Sequence, residues 1–308
     1  MSKIVDEVIT SVKDTIDVLE QIKADNLFTE SLYEYGVPQK FPFGIWFRGH
    51  SSTNYDLNPS IFRKKNDGGY HDETNIFILS KLRLPHQQKV YESIFDWLCF
   101  MQHYEVPTRI LDWSESILVA LYFAVKDHEK SGDAELVVLN ARSLNYDTRK
   151  RNFICNPDSP DLIIRAEMVQ NRVESKVANA INMHKSIKIA GSNYEAMKSN
   201  LAKPVAVFPN RWNDRMVSQS SVFTVHGGKI YHQDEAVKIE ERLPLPITLE
   251  TINDERKRDL KSPILKYYII PEAKKEPIKK TLFELGIHEA TLFPEMDHQA
   301  LYLTELWS

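Results

Sequence analysis

The residues with the clearest potential for chemistry stand in FGIWFRGHSSTNYDLNPSIFR, the segment that covers residues 43–63. An apolar run at residues 45–47 is typical of a short buried strand, and it leads into Arg48, Gly49 and His50 in a polar loop. A guanidinium group matches phosphate bidentately, and glycine allows a ligand to approach the backbone closely. The same arginine could form a buried structural ion pair. The segment therefore indicates either an anion-binding site at a strand end or an internal ion pair.

Polar side chains also crowd the segment QHYEVPTRILDWSESILVALYFA, which covers residues 102–124 between two apolar helical patterns. The candidates for binding or catalysis are Gln102, His103, Tyr104, Thr108, Arg109, Asp112, Trp113 and Ser114. In an extended chain Arg109 and Asp112 would point to opposite faces, so we do not expect them to pair. His103 is a candidate general base, and a core or capping histidine is the alternative. Ser114 is a plausible N-cap of the following helix.

The third segment, RMVSQSSVFTVHGG at residues 215–228, alternates in polarity as a strand does. A period of two places Gln219, Ser221 and Phe223 on one face of this predicted strand. A glutamine on the inner face of a strand requires polar partners or a ligand. Gln219 is therefore a candidate site residue.

Composition and missing motifs narrow the possible functions. The 308 residues are 42% hydrophobic, which suffices for a packed core, and the net charge of −4 excludes the broad basic field of a non-specific nucleic-acid binder. GxGxxG, Walker, HExxH, CxxC and GxSxG motifs are missing, so we expect neither a bound metal nor a serine hydrolase. Cys99 and Cys155 lack disulfide spacing and fit a reducing interior. No stretch reaches about 18 apolar residues, so we expect a soluble, cytoplasmic protein without membrane spans.

Hydrophobic spacing predicts an α+β fold with strands split along the chain. Residues 1–35 are expected to contain an amphipathic helix that packs on the body or on a partner, and residues 36–308 to form a single domain with a polar helical insertion at about 142–203. Strands are predicted at residues 44–47, 134–140, 204–209, 221–227, 265–271 and, before a closing helix, 288–293. Helices are predicted at residues 72–104 with a break near 83–88, at 114–130 and at 277–287.

The first two segments closely resemble the FRG domain, which is named for its Phe-Arg-Gly stretch. The positions that carry the resemblance are Phe47, Arg48, Gly49, Tyr55, Leu57, Pro59, Arg63, Gln102, His103, Tyr104, Pro107, Thr108, Arg109, Leu111, Asp112 and Trp113. SQSSVFTVHG and GIHEATLFPEMDHQALYL are also FRG-like. The chain departs from the pattern at Glu105 and Ser221, where the resemblance leads us to expect glycine. FRG proteins resemble proteins whose genes are found in toxin and phage-defence contexts.

The order of these segments also resembles that of ADP-ribosyltransferases, which implies a split mixed sheet with several helices and NAD as substrate. In that family an arginine or histidine on the first strand holds NAD. A strand that contains serine or threonine runs into a helix and lines the nicotinamide pocket, and a Glu, Gln or other polar residue on a later strand orients the ribose or the acceptor. Carried over, Arg48 would clamp the diphosphate, His50 and Ser114 would bound the pocket, and Gln219 would lie at the ribose. Tyr104 or Trp113 would stack on the nicotinamide. The family usually has glutamate at the third position, and Glu295 is our candidate substitute for Gln219.

The leading hypothesis is thus an ADP-ribosyltransferase-like toxin or antiphage effector that modifies a protein or nucleic acid, with NAD hydrolysis as a variant. The alternative is a non-catalytic nucleotide or nucleic-acid binding module in which Arg48, Arg63 and Arg109 recognise phosphate. A nuclease that uses His103 and Asp112 is a third hypothesis. The N-terminal helix is a candidate surface for an antitoxin, a chaperone or a second copy, or an ordinary packing helix.

Overall fold

The computed structural model describes residues 5–25, 44–84, 93–169, 199–228 and 247–305. Its strands are β1 (Glu7–Val8), β2 (Ile45–His50), β3 (Ile110–Ser114), β4 (Ala134–Asn140), β5 (Val205–Val207), β6 (Ser221–Val225) and β7 (Leu265–Ile270). They form one mixed sheet with the order β1–β7–β4–β2–β3–β6–β5. β1 runs parallel to β7, and the other neighbours are antiparallel. The predicted α+β class is confirmed.

Helices cover both faces of this sheet. They are α1 (Val12–Ala24), a 3-10 turn (Ser60–Phe62), α2 (Glu73–Arg83), α3 (Ile94–His103), α4 (Ile117–Val125), α5 (Ala141–Arg149), α6 (Pro160–Glu167), α7 (Asp214–Ser218), α8 (Leu249–Arg258), α9 (Glu272–Glu284), α10 (Glu289–Leu292) and α11 (Met296–Glu305). Several begin where a polar side chain accepts a hydrogen bond from the first turn, as Ser93 does for α3 and Asn213 for α7. None of the helices in the described ranges is long and apolar enough to cross a bilayer.

The sheet is split between β2 and β3. β2 pairs with β4 along its whole length, from Ile45 to His50, and β3 pairs with β6 from Ile110 to Ser114. Between β2 and β3, however, the ladder contains a single pair, Phe47 with Ser114. The two strands diverge beyond this pair, and we call the gap between them the seam. The seven strands thus form one mixed sheet, and the pairing between neighbours is shortest in its middle.

The two faces of β2 contact different groups of residues. Ile45 and Phe47 pack into a core that includes α4, whereas Trp46 packs on the other face with Leu111 and Trp113. The alternation follows from the period of two in a strand. Arg48 and His50 share the face of Trp46, so the strand carries an apolar residue at its start and two polar residues at the seam.

The N-terminal segment is part of this body. Val18 and Ile22 of α1 are buried in the same core as α4, and β1 extends the sheet at its β7 edge. The predicted amphipathic helix is thus present and packs on the body. It begins at Val12, later than the periodicity suggested, because residues 7–8 form a strand.

Four local predictions are wrong. β2 continues to His50, so Arg48, Gly49 and His50 belong to the strand and not to a following loop. Ser116, not Ser114, is the N-cap of α4. Gln219 is not in a strand, since it caps the end of α7 and β6 begins at Ser221. Finally, residues 289–292 form the short helix α10 where we predicted a strand.

The remaining strand predictions are confirmed by β4, β5, β6 and β7. The polar region at 142–203 contains most of α5 and all of α6. Beside them, the backbone of Cys155 forms an isolated parallel β-bridge with Val207. Residues 170–198 of that region, and residues 85–88 of the predicted break, lie outside the described residues.

Candidate functional site

A cavity of about 870 Å³ opens at the seam. This volume lies in the range of about 300–1,000 Å³ that is usual for small-molecule sites. Its walls come from β2, β3, the loop at residues 51–64, one side of α4 and the turn between α7 and β6. The divergence of β2 from β3 creates the space, because side chains of both strands border a gap that backbone pairing would otherwise close.

Arg48 reaches across the seam. Its Nη1 donates to the backbone oxygen of Asp112 on β3, and its Nε donates to His50 Nε2 at 2.9 Å. The first bond supplies a partner to a strand carbonyl at a point where the β2–β3 ladder has ended. Burial lowers the pKa of Arg48 to about 10, and the Asp112 carboxylate opposes this shift. The arginine is therefore charged at neutral pH, and it keeps further N–H donors on the cavity side.

His50 is held between Arg48 and Glu135 of β4. Its Nδ1 lies 2.8 Å from Glu135 Oε1, and both side chains are almost completely buried. Because Nε2 accepts from Arg48, the ring proton lies on Nδ1 and is donated to the carboxylate. The hydrogen bonds from Arg48 to His50 and from His50 to Glu135 thus fix the position of the Arg48 guanidinium.

Gly49 serves the packing of α4. A Cβ at this position would lie 1.9 Å from the Ala120 oxygen and 2.4 Å from the Ala124 nitrogen. The close approach of backbone that we attributed to a ligand is therefore the approach of a helix. Although Gly49 borders the cavity, the side of its Cα that lacks a side chain is filled by α4.

Asp112 projects into the cavity from β3. Gln102 Nε2 donates to Asp112 Oδ2 at 2.7 Å, and Gln102 Oε1 accepts from the Thr108 hydroxyl. Thr108 is only 1% exposed and does not border the cavity, so it acts through Gln102. The carboxylate is an exposed acceptor held in place by the half-buried Gln102 and, behind it, by the buried Thr108.

Ser114 and Gln219 lie together on the far wall. The Ser114 hydroxyl donates to the Gln219 backbone oxygen at 2.7 Å, and Gln219 Nε2 donates to the Leu292 oxygen at 3.1 Å. Both residues border the cavity. Gln219 therefore ties the C-terminal segment to the start of β6.

His103 and Glu295 form a neighbouring cluster that does not border the cavity as described. His103 Nε2 lies 3.6 Å from Glu295 Oε1, although the two residues are far apart in sequence. Burial and the Arg215 guanidinium lower the pKa of His103, and Glu295 opposes them. Arg215 connects this cluster to the cavity, since it borders the cavity and lies 4.6 Å from the Phe293 ring.

Arg109 and Tyr104 are placed elsewhere. Arg109 is completely buried, and its guanidinium forms a paired contact with Glu73 and donates to the oxygens of Arg165 and His226. Neither Arg109 nor Tyr104 borders the cavity as described. Trp113 does, but it is 3% exposed and its Nε1 donates to Thr224. The expected lack of pairing between Arg109 and Asp112 is confirmed.

The charges around the cavity are mixed. Its basic residues are Arg48, Arg63, Lys64, Lys126 and Arg215, and its acidic residues are Asp56, Glu105, Asp112 and Asp127. The Arg63 side chain is exposed at the cavity. Loss of hydration against the neighbouring protein lowers the pKa of Arg63, and the carboxylates of Asp112 and Asp56 oppose this shift. The sequence analysis did not select Lys126 or Arg215, because each stands next to other charged residues, as is usual on a solvated surface.

Aromatic side chains also border the cavity, and the sequence alone did not single them out for this role. Tyr55, Tyr70 and Phe123 are among them. Tyr55 is 46% exposed and meets the His50 ring edge-on at 5.8 Å. No group of three or more His, Cys, Asp or Glu side chains that could hold a metal ion occurs among the residues described.

Comparison with known families matches residues 44–133 to the FRG domain. The match begins just before β2 and ends just before β4, so it contains Arg48, Asp112 and Ser114 but neither Gln219 nor Glu295. No curated protein and no solved structure matches the chain. The resemblance to the FRG domain is confirmed for this segment, and the resemblance to ADP-ribosyltransferases stays a prediction.

Proposed function

We propose that the seam cavity of this FRG-domain chain binds NAD and that the chain breaks the bond between nicotinamide and ribose. One observation carries the proposal. Arg48, Ser114 and Gln219 were selected from three separate segments, and all three border one cavity. The resemblance assigns these residues the roles of phosphate clamp, pocket wall and ribose contact. Their shared cavity supports that assignment.

The charges suit a dinucleotide. The Arg63 guanidinium lies close enough to Arg48 to contribute to lowering the pKa of Arg48. Two neighbouring guanidinium groups with free donors favour a diphosphate. Tyr55, Tyr70 and Phe123 offer ring faces for a base or for nicotinamide.

The chemical step consists of one exchange of bonds. The bond between the anomeric carbon and the nicotinamide nitrogen breaks, and its electron pair leaves with nicotinamide. An acceptor oxygen or nitrogen then bonds to that carbon and loses its proton to a base or to water. Clamping the diphosphate while the ribose gains positive charge would favour this step through orientation and electrostatic stabilisation. With a protein or nucleic acid as acceptor the chain would act as a toxin or antiphage effector, and with water it would hydrolyse NAD.

The test measures nicotinamide release from NAD by the purified chain, with and without cell lysate as a source of acceptor. We expect Arg48→Ala and Arg63→Ala each to reduce release by about 10- to 100-fold, as for the loss of a charge-assisted contact. Arg83→Ala is the matched control, because Arg83 is exposed at the end of α2 and does not border the cavity.

Circular dichroism checks that the variants fold. Arg63→Ala is the safer variant, since Arg63 is exposed and, among the described residues, its side chain donates only to the Asn58 oxygen. Failure of the wild type to release nicotinamide under both conditions would refute the proposal.

A second function, nucleotide binding without turnover, is favoured by the surroundings of Gln219. Gln219 offers no carboxylate, and its amide nitrogen already donates to the Leu292 oxygen. Glu295, the candidate substitute, does not border the cavity as described. Under this function, titration calorimetry would show NAD binding that Arg63→Ala weakens, while NAD in the same sample stays intact.

A further inference from the structure

We propose that Asp112 is the residue that binds the vicinal hydroxyls of a ribose in the seam cavity, with Gln102 as its positioning residue. This inference rests on the proposed function and assigns the sugar contact to a carboxylate of β3 rather than to Gln219 or Glu295. It also narrows the ligand to one that carries both hydroxyls and phosphates.

The hydrogen bonds behind Asp112 have only one possible direction. A carboxylate oxygen accepts hydrogen bonds, so the NH₂ group of Gln102 must face Asp112 Oδ2 at 2.7 Å. Gln102 Oε1 therefore faces Thr108 and accepts from its hydroxyl, while Thr108 Oγ1 accepts from the backbone nitrogen of Ile110 at 3.2 Å. The carboxylate thus determines the orientation of the Gln102 amide and of the Thr108 hydroxyl behind it.

The other carboxylate oxygen is available. Among the described residues, the structure gives Asp112 Oδ1 no donor, and the guanidinium groups of Arg48 and Arg63 bind other atoms than this carboxylate. Arg48 does donate to the backbone oxygen of Asp112, and the carboxylate interacts electrostatically with both arginines. An ionised carboxylate accepts hydrogen bonds only, and the group that completes it must be a donor.

The combination of charges selects the ligand. A bare diphosphate would be attracted by Arg48 and Arg63 and repelled by Asp112. A ribose attached to a diphosphate satisfies all three residues, because its hydroxyls donate to the carboxylate while its phosphates accept from the guanidinium groups. An anionic residue in an anion site is therefore a means of preferring nucleotides over free phosphate compounds.

The test compares two probes, ADP-ribose and inorganic diphosphate, by titration calorimetry at one ionic strength. We expect Asp112→Asn to weaken ADP-ribose binding by about 10- to 100-fold. The same change should leave diphosphate binding equal or strengthen it, because a negative charge near the arginines is removed. A purely structural role for Asp112 would weaken both probes alike.

Two further variants complete the test. Asp127→Asn removes the same charge from another wall of the cavity, where the carboxylate is paired with Lys130, and should change ADP-ribose binding by less than about threefold. Gln102→Leu should weaken ADP-ribose binding by about 3- to 10-fold without weakening diphosphate binding, since it frees Asp112 to rotate.

The outcomes separate this inference from the proposed function. A wild type that binds ADP-ribose, together with an Asp112→Asn variant that binds it equally well, overturns the inference and leaves the proposed function standing. Equal losses for both probes in folded Asp112→Asn also overturn it. A wild type that binds neither probe overturns both proposals.

Discussion

Gly49 stands between Arg48 and His50, whose side chains hold one another at the seam, and the space beside its own Cα is filled by α4. The strand can therefore present two polar side chains to the cavity and lie unusually close to a helix at the same point. Any side chain at this position would push α4 away from β2, because the atoms that it would meet belong to the helix backbone.

Gly49→Ala should destabilise the fold by about 3 kcal/mol or more, since overpacking against backbone cannot be relieved by a rotamer change. Urea unfolding followed by circular dichroism measures the effect. Gly69→Ala is the matched control: its Cβ would lie 3.2 Å from the end of the Asp67 side chain, which can move. A Gly49→Ala protein within 1 kcal/mol of the wild type would show that α4 does not pack as described.

Glu105 occupies a left-handed backbone conformation, with φ at 59°, at the position where the FRG resemblance leads us to expect glycine. A side chain in this region costs about 1–2 kcal/mol, and glycine avoids the cost but loses more entropy on folding. Glu105→Gly should therefore stabilise the chain by about 0.5–1 kcal/mol. Glu105→Ala, which keeps a Cβ, should not. Equal unfolding midpoints for the wild type and both variants would contradict this reasoning.

At the scale of elements, α1 contributes to the main core with one side only. Ile22 is 1% exposed and packs in the core with α4, whereas Ile16 on the same helix is 40% exposed. Ile22→Ala should cost about 2–5 kcal/mol of unfolding free energy, and Ile16→Ala less than about 1 kcal/mol. Thermal unfolding of both variants tests whether this helix is part of the body. If the two losses were equal and small, α1 would serve mainly as a surface for a partner.

Regular periodicity predicted the long elements and missed several of the short ones. β4 and α4 were predictable because seven or more residues repeat one pattern. α10 has four residues, too few for a helical period, and residues 288–293 therefore resembled a strand. The alternation around Gln219 failed for a different reason. Ser220 has a left-handed φ of 48°, which separates the turn from β6.

The candidate site could also be predicted only in part from the sequence. Arg48, Asp112 and Ser114 could be selected from the sequence because they adjoin apolar strands, where a polar residue needs a reason. The partners that decide their roles lie far along the chain. Glu135 fixes His50, Glu73 removes Arg109 from the site, and Leu292 holds Gln219. Such pairings depend on tertiary structure and leave no local pattern.

At the scale of the whole molecule, pH should act through a buried histidine. His226 is completely buried, and burial together with Arg109 and Arg48 lowers its pKa from 6.5 to about 3. His226 Nε2 lies 3.1 Å from Thr224 Oγ1, which also accepts from Trp113 Nε1, and the lowered pKa means that the ring is neutral at pH 7.

Below pH 6.5 His226 is protonated in the unfolded chain but stays neutral in the folded chain. The free energy of unfolding therefore falls as the pH decreases towards 3. We expect His226 to lower the free energy of unfolding by about 1.4 kcal/mol for each unit by which the pH decreases in this range. His226→Gln lacks the effect, and its stability deficit relative to the wild type should narrow by about 2 kcal/mol between pH 7 and pH 5. The shifts of His103 and His288 have the same sign and cancel in this comparison. Parallel pH curves for the two proteins would contradict the prediction.

The single Phe47–Ser114 pair has a consequence for how the molecule exchanges hydrogen with solvent. β4 has a full ladder on both sides, with β2 and β7, whereas the inner edges of β2 and β3 have one pair between them. Amide protons on those inner edges should exchange at rates typical of an outer strand, although the strands lie at the centre of the sheet. A ligand lodged in the seam would slow that exchange on two strands from different halves of the sheet at once.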